Sequence, residues 1–384
     1  MAKRTNGEGT IYQRPNGLWC AELTLGYDEQ GKRIKKSFYS MDLERLQKEI
    51  NDAKVRYDRN LITQKNSYTI EEWVRFWLEN YKIHSLKSKT FDNYEYALEK
   101  HIKGHFGDIK LDKVKPSMIQ QLYNSMQNRK FSTSTIKKVH VALNQSFEQA
   151  IKNELMFTNP CNAVTIPKIE KRKAVALSVQ QQESFEQACR ESKRNDKSEK
   201  NNKCNLFLFA LDTGMRIGEI IALIWDDVDM NEKIVNVSNT ASTVINRDED
   251  AETKRKIVID SAKTDKSVRT IPMTKRVVKI IEEQKDLTQN KDFIFSSRNA
   301  TILMERNLER EFHRICDKAG LDKMVTIHTL RHTFASRMIE RKVEPKALCD
   351  LMGHSSIQVT YDVYGHMMLE GRRQAMSLLD GQDM

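Results

Sequence analysis

At 384 residues the chain is too long for a single ordinary core, so two or three domains are expected. Its composition, 39% hydrophobic and 30% charged, suits a water-soluble protein, and no apolar run approaches the roughly 20 residues that span a bilayer. A formal net charge of +11 favours a polyanionic partner, nucleic acid ahead of an anionic membrane.

The N-terminus, Met1 to Gly7, is polar with no signal-peptide core behind it, which points to the cytoplasm. Residues 1–64 then read as a small sheet with one helix. A strand from Gly9 to Arg14, a turn at Pro15-Asn16-Gly17, a strand from Leu18 to Tyr27, a turn at Asp28 to Gly31 and a strand from Lys32 to Tyr39 follow in order. From Met41 the apolar spacing turns helical, with Leu43, Leu46, Ile50 and Val55 near one stripe. Such a unit is too small for an enzyme core. Its third strand carries Lys32, Arg33, Lys35 and Lys36 with no acid among them, and Arg14 ends the first. A strand so charged can enter a major groove or lie along phosphates; the plainer alternative is an edge strand guarded by lysines.

Residues 67–165 read as all-helical. Trp73, Phe76, Trp77 and Tyr81 recur at helical spacing and suit a core better than a base-stacking platform. A second helix opens at Ser88-Lys89-Thr90, with Tyr94, Leu98 and His101 on one face. Pro116 starts a third, and Ser132 to Thr135 cap a longer fourth. Lys87, Lys89, Lys137 and Lys138 lie near helix starts, where backbone N–H groups also meet phosphates. Residues 166–175 make a basic linker, extended from Pro167, that could strap two lobes around a duplex.

Residues 176–384 form the largest domain. A buried helix over Leu206 to Leu211 stops at Gly214, and another begins near Glu219. Short strands are expected over Lys233–Val237, Lys256–Asp260 and Arg269–Met273, with Thr240 to Arg255 as a long polar loop. Helices dominate thereafter. The six cysteines are scattered without a Cys-x-x-Cys pair, which disfavours zinc or disulfide frameworks.

Five short contexts in this last third stand out: Thr213-Gly214-Met215-Arg216-Ile217-Gly218-Glu219, Lys263-Thr264-Asp265, His328-Thr329-Leu330-Arg331-His332, Leu351-Met352-Gly353-His354 and Tyr364-Gly365-His366. Two arginines, a lysine and histidines suit the charge that builds on a phosphodiester under attack, since arginine is always ionised and binds two oxygens with a planar fork. Helical spacing puts His328, Arg331 and His332 on one face. A tyrosine phenol, with a pKa near 10, is a poor nucleophile unless cations help it lose its proton. Each residue also has an ordinary reading: salt bridges for the arginines, a core histidine beside a turn for His354, a solvated charge for Lys263.

In this order and in these contexts the motifs resemble those of tyrosine recombinases, in particular phage and conjugative-transposon integrases, and the resemblance covers essentially the whole chain. It implies a mainly α multidomain fold: a three-stranded sheet plus helix for arm-type DNA sites, a helical core-site-binding domain, and a mixed α/β catalytic domain. It makes Arg216 and Arg331 the transition-state clamp, Lys263 the donor of a proton to the leaving 5′ oxygen, His328 a proton handler, His354 a phosphate hydrogen-bond donor and Tyr364 the nucleophile. Glu219 and His332 support them. Lys266 competes with Lys263, and Tyr361 with Tyr364, although only Tyr364 fits the Tyr-x-His context.

The implied activity is site-specific integration and excision of a mobile element, through a 3′-phosphotyrosyl link and a Holliday junction. Bond energy is stored in the covalent link and charge is met by cationic side chains, so neither ATP, a metal nor another cofactor is expected. Double-stranded DNA is the implied partner, with a homotetramer on synapsed sites and an excisionase or host DNA-bending protein as accessory. The segment after Tyr364 either packs on a neighbouring protomer or closes its own core. Two other readings stand beside this one: a type IB topoisomerase-like enzyme, and a DNA-binding regulator that has lost catalysis.

Overall fold

The computed structural model describes residues 10–27, 33–58, 68–168, 175–195, 203–248, 250–261, 268–288, 292–297, 301–354 and 356–364. The chain divides into two compact units, Met1–Glu170 and Lys171–Met384.

The first unit begins with β1 (Thr10–Gln13), β2 (Trp19–Tyr27) and β3 (Arg33–Ser40), an antiparallel sheet in that order. Helix α1 (Leu43–Asp58) is started by Asp42, whose Oδ1 accepts from the Glu44 amide at 2.9 Å. Its apolar stripe places Leu46 and Ile50 on Ala21, with Trp19 and Phe38 beside them.

The helical part has a separate core. Thr69 and Glu72 form a capping box at the start of α2 (Ile70–Trp77), which runs on through a π-helical turn, Leu78–Lys82. Helix α3 (Ser88–Ala97) passes through a second π turn, Leu98–Ile102, into α4 (Lys103–Phe106); α5 (Pro116–Asn128) and α6 (Thr133–Lys152) complete the bundle. Trp73 and Trp77 are fully buried, and the Trp73 indole donates to the Ser146 carbonyl at 2.9 Å. Those two are core, as the spacing predicts. Tyr81 differs: it is exposed, and its hydroxyl accepts from Asn153. The Tyr94, Leu98 and His101 stripe is buried throughout.

The second unit is built on α7 (Val179–Asn195), α8 (Cys204–Thr213), α9 (Ile217–Ala222), α10 (Lys275–Leu287), α11 (Glu305–Lys318), α12 (Ile327–Glu340), α13 (Pro345–Met352) and α14 (Ile357–Tyr364). Phe185, Phe207 and Phe312 meet at its centre, with ring centroids 5.4 to 6.5 Å apart. Strands β4 (Val228–Asp229), β5 (Ile234–Val237) and β8 (Arg269–Pro272) make one antiparallel sheet. Strands β6 (Asn239–Ile245) and β7 (Arg255–Ser261) pair as a separate hairpin, from Asn239–Ser261 to Ile245–Arg255. The expected loop from Thr240 is therefore a strand for its first third. Its Thr, Ser and Val residues suit a half-buried ribbon, and Ala241 and Val244, three apart and so on opposite faces, are both buried. The six cysteines are free and buried, and among the described residues no helix is long and apolar enough to cross a membrane.

Candidate active site

The site is organised by two helix ends. Helix α8, buried on every side, stops at Gly214, which has φ +63° and so leaves the helix in the left-handed region. A Cβ there would sit 2.3 Å from the Phe334 ring, so the close approach of α12 also demands glycine. Two residues later Arg216 occupies the N-cap of α9, with extended backbone. Its amide donates to Glu219 Oε2 at 2.9 Å and its guanidinium to Oε1 at 2.7 Å. The pairing of Arg216 with Glu219 is thus an ion pair as well as a helix cap.

The second helix end is that of α13. The last carbonyls of a helix lack partners within it and carry its negative pole. Here three successive carbonyls each accept from a different arginine: Leu351 from Arg269 Nε at 2.7 Å, Met352 from Arg331 Nη2 at 2.6 Å, and Gly353 from Arg216 Nη2 at 3.1 Å. Arg331 Nη1 also donates to the Gly214 carbonyl at 2.6 Å, so this buried guanidinium ties the end of α8 to the end of α13. Gly353, at φ +59°, turns the chain out of α13 into His354.

His354 Nδ1 lies 2.8 Å from the Thr360 hydroxyl, which is buried in α14. Tyr364 is in the same helix four residues on, hence on the same face and about 6 Å further along the axis. His328 and His332, one turn apart on α12, meet edge to face at 4.7 Å.

Cations crowd these rings. Burial, then His328 and Arg331, push His332 down to about 4. Burial, then Arg331, Arg216 and Arg269, push His354 down to about 4. His328 is open to solvent on one side, yet crowding by protein on the other, then Arg331 and Arg216, hold it below the ordinary histidine value. Burial alone would raise the Glu219 carboxyl; Arg269, followed by Arg216, outweighs it and the pKa is lowered. At neutral pH the site therefore holds guanidinium charge, one carboxylate and uncharged imidazoles: a phosphate is attracted by the arginines, and the histidines are free to accept a proton.

The sequence profile of the phage integrase family matches residues 175–370, about half of the chain. The chain belongs to the phage integrase family. It is a tyrosine recombinase, an enzyme that breaks and rejoins DNA. The N-terminal SAM-like domain of phage integrases matches residues 69–127. A tyrosine recombinase XerC-like protein of Caldanaerobacter subterraneus subsp. tengcongensis is 28% identical over 99% of both chains. The ICEBs1 integrase of Bacillus subtilis is 22% identical over 97% of this chain and 99% of its own. Among solved structures, the Tn1549 transposon integrase with a circular intermediate DNA matches with a TM-score of 0.68, at 24% identity, over 82% of this chain and all of that one. A lambda integrase tetramer bound to a Holliday junction gives 0.58, at 20% identity, over 90% and 95%. These findings favour the recombinase over the topoisomerase-like and inactive-regulator readings.

Of the residues expected at the recombinase site, Arg216, Glu219, His328, Arg331, His332 and His354 are all placed in the second unit, on the elements just described. Lys263 and its competitor Lys266 lie outside the described residues, as does Lys32. The backbone of Tyr364 is described and its side chain is not; the same holds for Arg33, Lys35 and Lys36. Tyr361 is exposed. In the first unit Arg14 is exposed beside the Tyr39 ring, 5.7 Å from its centroid. Lys87 is the N-cap of α3, while Lys89 is exposed in the first turn of α3 and Lys137 and Lys138 are exposed in the second turn of α6. Sequence reasoning missed Arg269. It reads as one more charge on a strand, and nothing local marks it; its partners lie 50 and 82 residues away.

Proposed function

We propose that Arg216, Arg331, His328 and His354 enclose one DNA phosphodiester and that Tyr364 attacks it. The observation that carries this reading is the convergence of Arg216 and Arg331 on the C-terminal carbonyls of α13, directly before the helix that carries Tyr364. Carbonyl anchors fix each guanidinium in place before substrate arrives, so little reorganisation is needed as charge develops.

The chemistry balances as an exchange of esters. The Tyr364 oxygen forms a bond to phosphorus, its proton passing to His328, which is neutral and able to accept it. The bond from phosphorus to the 5′ oxygen breaks, and that oxygen takes a proton from Lys263 or Lys266. Arg216 and Arg331 neutralise the non-bridging oxygens, and His354 donates to one of them. The 3′-phosphotyrosyl link keeps the bond energy, so a 5′-hydroxyl from the partner duplex can reverse the step without ATP.

In this scheme residues 1–64 bind arm-type sites through Arg14, Lys32, Arg33, Lys35 and Lys36. Residues 67–165 grip the core site with Lys87, Lys89, Lys137 and Lys138, and residues 176–384 cut it after the linker at 166–175. Four copies synapse two sites and pass through a Holliday junction, an assembly supported by the lambda integrase relative. Integration and excision then occur in the cytoplasm on chromosomal DNA, with an excisionase or a DNA-bending protein setting direction. A duplex nicked just 3′ of the cleavage point tests the central step, because the short 5′-hydroxyl fragment diffuses away and traps the adduct. Wild type should accumulate a covalent complex and Tyr364→Phe none; an adduct formed equally by Tyr364→Phe removes Tyr364 from the reaction.

A further inference from the structure

The structure assigns Arg269 as a positioning residue for the phosphate clamp, holding Arg216 and the turn before His354 in register with each other. This inference rests on the site reading given above. Arg269 opens β8, and its side chain is only 6% exposed, as is that of Glu219. Nη2 donates to Glu219 Oε2 at 2.8 Å and Nη1 to Oε1 at 3.3 Å, while Nε donates to the Leu351 carbonyl at 2.7 Å. One planar group therefore spans two elements distant in sequence: the first turn of α9 and the last turn of α13.

Both connections lead to a proposed catalytic group. On one side the same Glu219 oxygens accept from the amide and the guanidinium of Arg216, so a displaced carboxylate displaces the arginine. On the other, Leu351 is two residues from Gly353, whose carbonyl holds Arg216, and three from His354. Contact with Gly353 is close as well: a Cβ there would lie 2.9 Å from Arg269 Nη1 and 3.2 Å from its Cδ and Cζ. The guanidinium thus lies close against the turn it orients. Arg269 donates to protein groups on both of its sides and acts through Arg216 and His354. Lysine keeps the charge at this position and loses the planar fork that reaches a carboxylate and a carbonyl at once.

The test uses the full-length protein and two nicked core-site duplexes, one with an ordinary scissile phosphodiester and one with a methylphosphonate there, which has no charge to neutralise. Single-turnover cleavage at saturating DNA, duplex affinity and melting temperature are read for Arg269→Ala, Arg269→Lys and Arg216→Ala. A misplacement near 1 Å costs about 100-fold, so Arg269→Ala should lose at least that on the phosphodiester. The loss on the methylphosphonate should be less than about 10-fold, with affinity held within about threefold. Arg269→Lys should recover the melting temperature while its cleavage stays impaired. Equal losses on both duplexes, or full recovery of rate by lysine, overturn the inference. If Arg269→Ala does not fold, Arg269→Lys on the same two duplexes decides. Arg216→Ala separates the two levels: should it cleave like wild type, the reading of the site fails, whereas an impaired Arg216→Ala beside an unimpaired Arg269→Ala sinks this inference alone.

Discussion

Replacing Gly214 by alanine probes the joint from which both clamp arginines hang. Its backbone stands at φ +63°, where an L side chain costs about 1–2 kcal/mol. The added methyl would lie 2.3 Å from Phe334 Cδ1, and overpacking of that kind costs about 1–3 kcal/mol more. The sum is about 2–5 kcal/mol, and for a unit of this size each kcal/mol lowers the melting temperature by about 2–4 °C. Gly320 supplies the control, with φ +67° and nothing within 4 Å of a Cβ, so Gly320→Ala should lose only the backbone part, about 1–2 kcal/mol. Calorimetry of the two variants isolates the clash with Phe334. Adding Phe334→Leu should then cost less in the Gly214→Ala background than in wild type. Because the Gly214 carbonyl anchors Arg331, cleavage should fall in Gly214→Ala beyond what its melting explains. Equal melting of the two alanine variants, or strict additivity with Phe334→Leu, would refute the packing argument.

Arg331→Ala should cut single-turnover cleavage by at least about 100-fold, the cost of losing one charge-stabilising donor, while core-site binding measured by gel shift stays within about 10-fold. Stability should also depend on pH in a defined window. His332 and His354 titrate near 4 in the folded chain and near 6.5 when unfolded. Between those values the unfolded state binds more protons, so stability is full above about pH 6.5 and declines as pH falls toward 4. Urea unfolding at a series of pH values should show that decline, shallower in His354→Gln; a curve that rises on acidification contradicts the assignment. In the helical domain His101 is buried between Tyr96 and Phe131, and neither ring nitrogen has a hydrogen-bond partner among the described residues. His101→Leu should therefore be neutral or raise stability by about 1–2 kcal/mol in thermal unfolding, since an unpaired buried polar group is costly; a loss of that size would mean the imidazole has a partner in solution.

The parts of the fold that sequence conveys best are those with a strong period or an unmistakable punctuation. Trp73 and Trp77, the stripe of Tyr94, Leu98 and His101, and the stop at Gly214 are all of this kind. Strand β6 was illegible because Asn239, Thr240, Ser242 and Thr243 resemble loop residues; their strand character comes from pairing with β7 and from burial of Ala241 and Val244. The candidate site was legible as a set of residue types in order. Its geometry was not, because a guanidinium satisfied by backbone carbonyls leaves no trace in composition. Arg269 shows the limit most clearly: its role is fixed by a carboxylate and a carbonyl that only folding brings to it.

The most direct measurement is to trap the covalent complex on a nicked core site, digest the protein and identify by mass spectrometry the peptide that carries nucleotide. The label is expected on Tyr364, joined through the 3′ phosphate of the cut strand, with a 5′-hydroxyl on the released fragment. Label on Tyr361 or any other residue, or a 5′-phosphate attached to the protein, would contradict it.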